Sequence, residues 1–239
     1  MPNLFIIATP IGNLQDFSFR ALETLKQVDL ILCEDTRVTK KLLDHYKIEK
    51  PLLSYHQHSK LQKINYIIDI LTEGKNLALI SDAGTPGVSD PGNLLIKEVV
   101  AKLGEKVKII PIPGPSAVTA AASISGFPMD RFLFLGFPPA KRKRKKFFKE
   151  VIDSKYPVIF YESPYRILKT LQELDLEART YNLEPSIVVC RELTKKFETI
   201  YRGKIEEVIK KIENDKVLGE FVVIVNSRIR TNKSTNLHE

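Results

Sequence analysis

The chain of 239 residues contains only two cysteines and no hydrophobic run longer than a strand. A membrane-spanning helix needs about 18 or more consecutive apolar residues, so no membrane association is predicted. Cys33 and Cys190 lie far apart in the sequence, which indicates two buried thiols rather than a disulfide or a metal pair. The N-terminal residues lack the basic segment of a secretory signal peptide. We therefore expect a cytoplasmic protein.

Clusters of metal-ligating residues are also scarce. The four histidines include one close pair, His56 and His58, with no cysteine or carboxylate cluster beside it. Zinc sites usually combine three or four such ligands, so no metal centre is predicted.

The chain does have a regular alternation of short apolar runs and amphipathic segments. In the first half this alternation predicts βαβ units and a mainly parallel sheet, and in the second half it predicts a mixed sheet. Three prolines within residues 111–115 mark the predicted domain junction, because they cannot continue a strand or a helix. The predicted fold class is two α/β domains, at residues 1–112 and 113–227, followed by a frayed tail at 228–239.

The spacing of the apolar residues predicts the individual elements. Thr36 and Asp90 are expected to be helix N-caps, with Pro91 in the first helical position. Strands are predicted at residues 4–9, 28–33, 52–53, 77–80, 107–110, 131–136, 157–161, 186–190, 199–202 and 221–225. Helices are predicted at residues 19–25, 36–43, 64–71, 91–103, 117–124, 141–152, 164–174 and 204–213.

The most unusual stretch follows the apolar run at 77–80. Ten residues of turn-forming composition, 82–91, separate this run from the next predicted helix, whereas a turn between a strand and a helix usually needs about 2–6 residues. Loops at the carboxyl end of parallel strands are where open α/β sheets bind ligands. This stretch is therefore predicted to hold a ligand.

Three further loops follow strands of the same predicted sheet. We call residues 9–13 the first loop, 34–37 the second, 82–91 the third and 113–117 the fourth. Because the strands are predicted to be parallel, the four loops are expected along one edge of the sheet, where they can line one pocket. The glycines expected to let backbone amides approach a ligand are Gly12, Gly84, Gly87 and Gly114.

Two missing fingerprints narrow the choice of ligand. No G-x-G-x-x-G motif occurs, and the P-loop spacing from Gly87 to Gly92 is followed by Asn93 and Leu94, where a P-loop needs Lys and Ser or Thr. Nucleotide hydrolysis is rejected on this ground. Loops that carry carboxylates and prolines suit a cationic or zwitterionic nucleoside, and S-adenosylmethionine fits that description.

Six motifs occur in order along the chain: Ala-Thr-Pro-Ile-Gly-Asn-Leu (8–14), Cys-Glu-Asp-Thr-Arg (33–37), Ser-Asp-Ala-Gly-Thr-Pro (81–86), Ser-Asp-Pro-Gly (89–92), Pro-Gly-Pro-Ser-Ala (113–117) and Phe-Tyr-Glu-Ser-Pro (160–164). Together they resemble the tetrapyrrole methylase-like, class III methyltransferase family. Within that family the chain is similar to the branch that 2′-O-methylates a cytidine of small-subunit (16S) ribosomal RNA. The first loop departs from the Gly-x-Gly-Pro-Gly-Asp loop of tetrapyrrole-modifying members, which favours the RNA branch.

The resemblance implies a homodimeric enzyme of two α/β domains that binds S-adenosylmethionine in the cleft between them. It implies that the loops of the first domain and strand ends of the second contact this cofactor. The residues so implied are Pro10, Gly12, Asp82, Ala83, Gly84, Thr85, Ser89, Ser116, Ala117, Tyr161 and Glu220.

A separate feature of the sequence supports an RNA partner. Residues 141–146 are six consecutive basic residues, flanked by Phe147 and Phe148, and without them the net charge would fall from +8 to +2. A solvated basic helix face is the alternative, but six successive helical positions point in all directions, so phosphate contact explains the run better. The residues expected to contact RNA are Arg37, Lys141, Arg142, Lys143, Arg144, Lys145, Lys146 and Arg166.

Methyl transfer to a ribose hydroxyl requires positioning and favours a proton acceptor, because a neutral hydroxyl is a poor nucleophile. The candidate acceptors are Glu34, Asp35, Asp82 and Asp90. An ion pair with Arg37 competes for one of the first two, Asp82 is expected to anchor its loop, and Asp90 is expected to serve as a helix cap. Positioning without a base stays open. Tetrapyrrole methylation and a non-catalytic RNA-binding assembly factor stay open as alternative functions.

Overall fold

The computed structural model describes residues 1–56 and 61–227, which cluster into two units. The first unit is Met1–Ser116, and the second begins at Ala117. Residues 113–116 therefore belong to the first unit, although the predicted junction assigned them to the second. His58 and the predicted tail at 228–239 lie outside the described residues.

The first unit is built on a parallel sheet. Its strands are β1 (Asn3–Ile7), β2 (Leu30–Cys33), β3 (Leu52–Ser54), β4 (Leu77–Ile80) and β5 (Lys108–Ile112), in the order β3-β2-β4-β1-β5 with parallel pairings. Its helices are α1 (Phe19–Gln27), α2 (Thr36–His45), α3 (Leu61–Thr72) and α4 (Asn93–Leu103), with short 3-10 turns at Leu14–Asp16 and Gly104–Lys106. The parallel sheet predicted for this half of the chain is confirmed.

Strand β4 shows why the strands of this sheet are continuous apolar runs. Leu77 and Leu79 pack with residues of α3 and α4 on one face, while Ala78 and Ile80 pack with residues of α1 and α2 on the other. All four side chains are buried. A strand covered on both faces has no solvent side, so its sequence shows no polar alternation.

Helix α4 begins later than predicted. Its first residue is Asn93 and its N-cap is Gly92, which has φ +148° and makes no side-chain cap. This non-helical glycine separates Pro91 from the helix, so the predictions of Asp90 as N-cap and Pro91 as first helical residue are wrong. The side chain of Asp90 therefore does not cap α4.

Two other local predictions are wrong. The side chain that caps α2 is Asp35, whose carboxylate accepts a hydrogen bond from the N–H of Arg37 at 2.8 Å, so Thr36 is the first helical residue instead of the cap. Pro111 does not end its strand, because β5 continues to Ile112. β5 lies at the edge of the sheet beside β1, and edge strands tolerate proline.

The second unit has the mixed sheet that the sequence predicts. Its strands are β6 (Leu133–Phe134), β7 (Val158–Glu162), β8 (Ser186–Arg191), β9 (Thr199–Lys204) and β10 (Phe221–Asn226). They lie in the order β6-β7-β10-β8-β9, in which β6 and β7 are parallel and the other pairs antiparallel. α5 (Ala117–Ile124) packs against β7 and β10, and α6 (Arg144–Asp153), α7 (Ile167–Thr180) and α8 (Ile205–Glu213) share one core with the sheet.

Helix α6 covers less of the basic run than predicted. It begins at Arg144, after Lys143, which has a left-handed φ of +69°. Phe147 and Phe148 lie in the core of the second unit. Residues 141–143 are therefore outside the helix, and the two phenylalanines beside the run are not surface residues.

The two cysteines are buried free thiols, as predicted, and burial raises the pKa of Cys190 to about 12. Within the described residues, none of the helices combines the length and the apolar character that crossing a bilayer requires. Over the same residues, no group of three or more His, Cys, Asp or Glu side chains is placed to hold a metal ion.

Candidate functional site

The first and third loops are joined by a short antiparallel bridge. The N–H of Thr9 donates to the carbonyl of Gly84 at 2.9 Å, and the N–H of Gly84 donates to the carbonyl of Thr9 at 3.1 Å. The hydroxyl of Thr9 also donates to the carbonyl of Ser81 at 3.1 Å. Gly84 has φ +80°, a backbone conformation in which a residue with a side chain would be strained. The loops that follow the parallel strands β1 and β4 are thus held together by an antiparallel bridge of their own.

Asp82 joins the second and third loops. Its Oδ1 accepts a hydrogen bond from the backbone N–H of Asp35 at 3.1 Å. The carboxylate of Asp35 in turn pairs with Arg37, with 2.6 Å between Oδ2 and Nη2. Hydrogen bonds from Arg37 hold the pKa of Asp35 well below its usual range. Asp82 therefore anchors two loops, and Asp35 is an ionised helix cap.

The fourth loop packs on the third loop and on Ala8, the residue before the first loop. The hydroxyl of Thr85 donates to the carbonyl of Pro115 at 3.4 Å. A Cβ added at Gly114 would lie 3.1 Å from the Cβ of Ala8. Close packing on Ala8 thus gives the glycine at 114 a structural reason, and its approach to a ligand stays a prediction. Within the first unit, the structure brings the four loops together along one edge of the sheet.

The third loop contains residues in left-handed backbone conformations. Gly87 has φ +81°, and a Cβ there would lie 2.9 Å from Oδ1 of Asn93, whose Nδ2 donates to the Gly87 carbonyl at 3.0 Å. Ser89 has φ +61°, a conformation that costs a non-glycine residue about 1–2 kcal/mol. Strain of this kind concentrates at ligand-binding sites, which keeps Ser89 among the candidate contacts.

Two carboxyl groups of the second and third loops, Asp90 and Glu34, have raised pKa values. Asp90 is half-buried, and burial raises its pKa to about 6; a hydrogen bond with Ser81 opposes this rise, while the charges of Glu34 and Asp82 add to it. Burial and the charge of Asp82 also raise the pKa of Glu34. The sequence places Asp90 among the candidate proton acceptors but favours a helix-capping role for it. In the structure the N-cap of α4 is Gly92 instead.

The charge of the four loops favours a positively charged or zwitterionic ligand. They carry four carboxylates and one basic residue, Arg37, which is paired with Asp35. Such an edge attracts a cation and repels a polyphosphate. The other predicted contacts in the first unit differ in exposure: Pro10 and Gly84 are buried, Thr85 and Ser116 are half-buried, and Gly12, Ala83 and Ser89 are exposed.

The predicted cofactor residues of the second unit lie on three different elements. Ala117 is half-buried at the start of α5. Tyr161 is half-buried in β7, and its ring contacts that of Phe137 with 5.4 Å between centroids. Glu220 is exposed beside β10, with 2.9 Å between its Oε2 and Nζ of Lys195. Their part in cofactor binding stays a prediction.

Arg144 is a structural residue, so its predicted contact with RNA is wrong. Its guanidinium, 8% exposed, donates to Glu173 at 2.6 Å, to the hydroxyl of Thr170 at 2.8 Å and to the carbonyl of Pro139 at 2.9 Å. The sequence did contain a signal. Arg144 precedes Phe147 by three residues, and helical spacing therefore places it on the buried stripe of α6.

Arg166 neutralises a buried acid. Its Nη2 lies 2.7 Å from Oε1 of Glu162, whose side chain is buried and whose Oε2 accepts from the hydroxyl of Thr170 at 2.6 Å. The side chain of Arg166 remains 28% exposed. The other basic residues predicted to contact RNA lie at the surface: Arg37, Lys141, Arg142, Lys143, Lys145 and Lys146.

Comparison with known proteins identifies the class of protein that carries this fold and these loops. The family described as Tetrapyrrole (Corrin/Porphyrin) Methylases matches residues 3–209. The chain therefore belongs to the tetrapyrrole methylase family, which confirms the resemblance of its six motifs. It is a methyltransferase, and its family implies a methyl donor.

Within this class, several curated relatives share one name. The chain is 42% identical to Ribosomal RNA small subunit methyltransferase I of Thermotoga maritima over 228 residues, which cover 95% of this chain and 100% of that protein. It is 44% identical to the protein of the same name from Bacillus subtilis strain 168 over 223 residues, which cover 93% of this chain and 74% of the relative.

Solved structures confirm the fold. The methyltransferase CobJ matches with a TM-score of 0.67 and 17% identity over 95% of both chains. A putative diphthine synthase from Entamoeba histolytica matches with a TM-score of 0.68 and 15% identity, over 97% of this chain and 95% of the other. At this level of identity the likeness concerns the fold alone.

Proposed function

We propose that this protein transfers a methyl group from S-adenosylmethionine to the 2′-hydroxyl of a cytidine in 16S ribosomal RNA. The observation that carries the proposal is the 42–45% identity, over 93% or more of the chain, to curated relatives named Ribosomal RNA small subunit methyltransferase I. The negatively charged loop edge of the first unit and the exposed basic residues of the second unit support it.

The loops of the first unit fit a positively charged methyl donor. S-adenosylmethionine supplies an electrophilic methyl group on a positively charged sulfur, and carboxylates stabilise such a charge. Pro10 and Gly84 are buried and would shape the binding surface. The residues that would contact the donor are Gly12, Asp82, Ala83, Thr85, Ser89 and Ser116, and those that the resemblance adds from the second unit are Ala117, Tyr161 and Glu220.

Asp90 is the strongest candidate for the acceptor of the hydroxyl proton. A general base works best when its pKa lies near the operating pH, and burial raises the pKa of Asp90 to about 6. Glu34, with a raised pKa, is the second candidate. Asp82 and Asp35 fit a positioning role better, because Asp82 holds the second loop and Asp35 is paired with Arg37.

The remaining parts of the proposal concern partners and place. The basic residues at 141–143, 145 and 146, with Arg37 and the exposed part of Arg166, would contact phosphates of the RNA in the small ribosomal subunit. We further propose a cytoplasmic homodimer, which is the state implied by the family resemblance.

Methyl transfer can be followed directly. The purified protein is incubated with methyl-labelled S-adenosylmethionine and with unmodified 16S RNA, either free or in small subunits. The proposal expects label in one 2′-O-methylcytidine. Label that reaches a porphyrinoid and never RNA would instead establish tetrapyrrole methylation, and RNA binding without donor binding in calorimetry would establish an assembly factor.

A further inference from the structure

The segment between β6 and α6 is fixed at the surface of the second unit by three hydrogen bonds. The donors come from β7, from the turn before α7 and from α6, and the acceptors are backbone carbonyls within four successive residues of the segment. These pairs are Tyr161 N to Gly136 O at 2.8 Å, Arg166 Nη1 to Pro138 O at 3.4 Å, and Arg144 Nη1 to Pro139 O at 2.9 Å. A segment held in this way loses little conformational entropy when it binds a partner.

Two exposed aromatic side chains adjoin the hydrogen bond between Arg166 and Pro138. Phe137 precedes Pro138 and is 52% exposed, and Tyr165 precedes Arg166 and is 94% exposed. The ring of Phe137 is supported edge-on by Tyr161, with an interplanar angle of 62°. Both aromatic residues are therefore attached to fixed backbone while much of each ring surface faces solvent.

The same segment carries a dense positive charge. Lys141, Arg142, Lys143, Lys145 and Lys146 are exposed, and residues 131–149 include no Asp or Glu. Arg144 is directed inward, and the left-handed backbone at Lys143 separates the residues before it from those on α6. This charge complements a phosphate backbone.

We propose that Phe137 and Tyr165 stack on unpaired bases of a single-stranded RNA segment whose phosphates contact the basic residues at 141–143, 145 and 146. The inference rests on the proposed function. It adds that the bound RNA is single-stranded and names the residues that distinguish a single strand from a duplex. Aromatic side chains stack only on bases that are free of a helix, whereas lysine and arginine contact the phosphates of single and double strands alike. An anionic membrane would also attract aromatic and basic residues, and binding to phosphatidylserine vesicles distinguishes it from RNA.

The test compares leucine variants of the full chain. Phe137→Leu and Tyr165→Leu keep apolar bulk but remove the π face. Phe19→Leu is the matched control, because Phe19 is 89% exposed in the first unit. Affinity is measured by fluorescence anisotropy for a single-stranded fragment of the 16S RNA and for a duplex of the same sequence.

Each of the two leucine variants should bind the single strand about tenfold more weakly than the wild type and bind the duplex equally well. Neither should change the dependence of affinity on salt, because no phosphate contact is lost. The triple variant Lys141→Ser, Arg142→Ser, Lys143→Ser should instead lower the log–log salt slope by about 2. Phe19→Leu should match the wild type on both RNAs.

The inference is overturned if Phe137→Leu and Tyr165→Leu bind the single strand as tightly as the wild type does. It is also overturned if they lose as much affinity for the duplex as for the single strand. A loss of binding to phosphatidylserine vesicles with unchanged RNA affinity would overturn it in favour of a membrane. If the wild type methylates RNA and the leucine variants bind as it does, only this inference fails. If the wild type binds the methyl donor but no RNA, the proposed function fails with it.

Discussion

At the scale of single residues, Asp90 is the proposed proton acceptor, and its charge also bears on stability. It is half-buried in the third loop, near the carboxylates of Glu34 and Asp82, and its pKa is raised to about 6. Its place before Pro91 predicts a helix cap, but in the structure its side chain does not cap α4. Its ionisation near neutral pH has two measurable consequences.

The first consequence concerns the rate. The single-turnover rate of methyl transfer should rise with an apparent pKa near 6 as Asp90 loses its proton. Asp90→Asn should remove this rise and lower the rate by about 10²–10⁴-fold. Glu34→Gln removes a neighbouring negative charge and should shift the midpoint to lower pH. Full activity of Asp90→Asn across the pH range would contradict the proposed role.

The second consequence concerns folding. Folding raises the pKa of Asp90 from 3.8 to about 6, so the folded state binds more protons in this window and the free energy of unfolding falls as pH rises through it. Asp90→Asn should therefore be more stable than the wild type at pH 7, by about 1–2 kcal/mol after allowance for partial exposure. Urea unfolding should show this difference vanish below about pH 4. A difference in the free energy of unfolding that stays constant with pH would contradict the raised pKa of Asp90.

At the scale of elements, the four loops depend on contacts with each other. Asp82→Asn keeps an oxygen that can accept from the N–H of Asp35, whereas Asp82→Ala removes it. Asp82→Ala should weaken donor binding about tenfold in calorimetry, and Asp82→Asn should stay near the wild type. If Asp82→Asn binds the donor normally but loses activity as Asp90→Asn does, Asp82 is the proton acceptor.

Helix α6 contains basic residues of two kinds: Arg144 is buried and structural, whereas its neighbour Lys145 is exposed and proposed to bind RNA. Arg144→Ala should lower the free energy of unfolding by about 2–4 kcal/mol, because it leaves Thr170 and Glu173 without their guanidinium partner. Lys145→Ala, its exposed neighbour, should change stability by less than about 0.5 kcal/mol and weaken RNA binding instead. Thermal unfolding and RNA titration of both variants check this. Equal stability of the two variants would contradict the structural role of Arg144.

The contrast between β4 and α6 shows what the sequence can predict. The run at 77–80 is apolar because both faces of the strand are covered, and this pattern depends only on burial, so it was recognised. The inward direction of Arg144 follows from its spacing to the buried Phe147, but the start of α6 is decided by the left-handed backbone at Lys143, which a run of like charges does not reveal. The start of α4 escaped prediction for a similar reason, because Gly92 adopts a positive φ.

At the scale of the whole molecule, charge is divided between the two units. The loop edge of the first unit carries four carboxylates. In the second unit, the six basic residues at 141–146 equal six of the eight net positive charges of the chain. Each sign suits one partner of the proposed reaction: a positively charged methyl donor and a polyanionic RNA. The four converging loops were predictable because a parallel sheet directs its strand ends to one edge.

Mass mapping of ribose methylation tests most directly whether this protein methylates one ribose of 16S RNA, as proposed. The RNA is taken from cells that lack the protein and from the same cells supplied with the wild type or with Asp90→Asn. The proposed function expects a single 2′-O-methylcytidine that is absent without the protein, restored by the wild type and largely missing with Asp90→Asn. An identical methylation map in all three would contradict it.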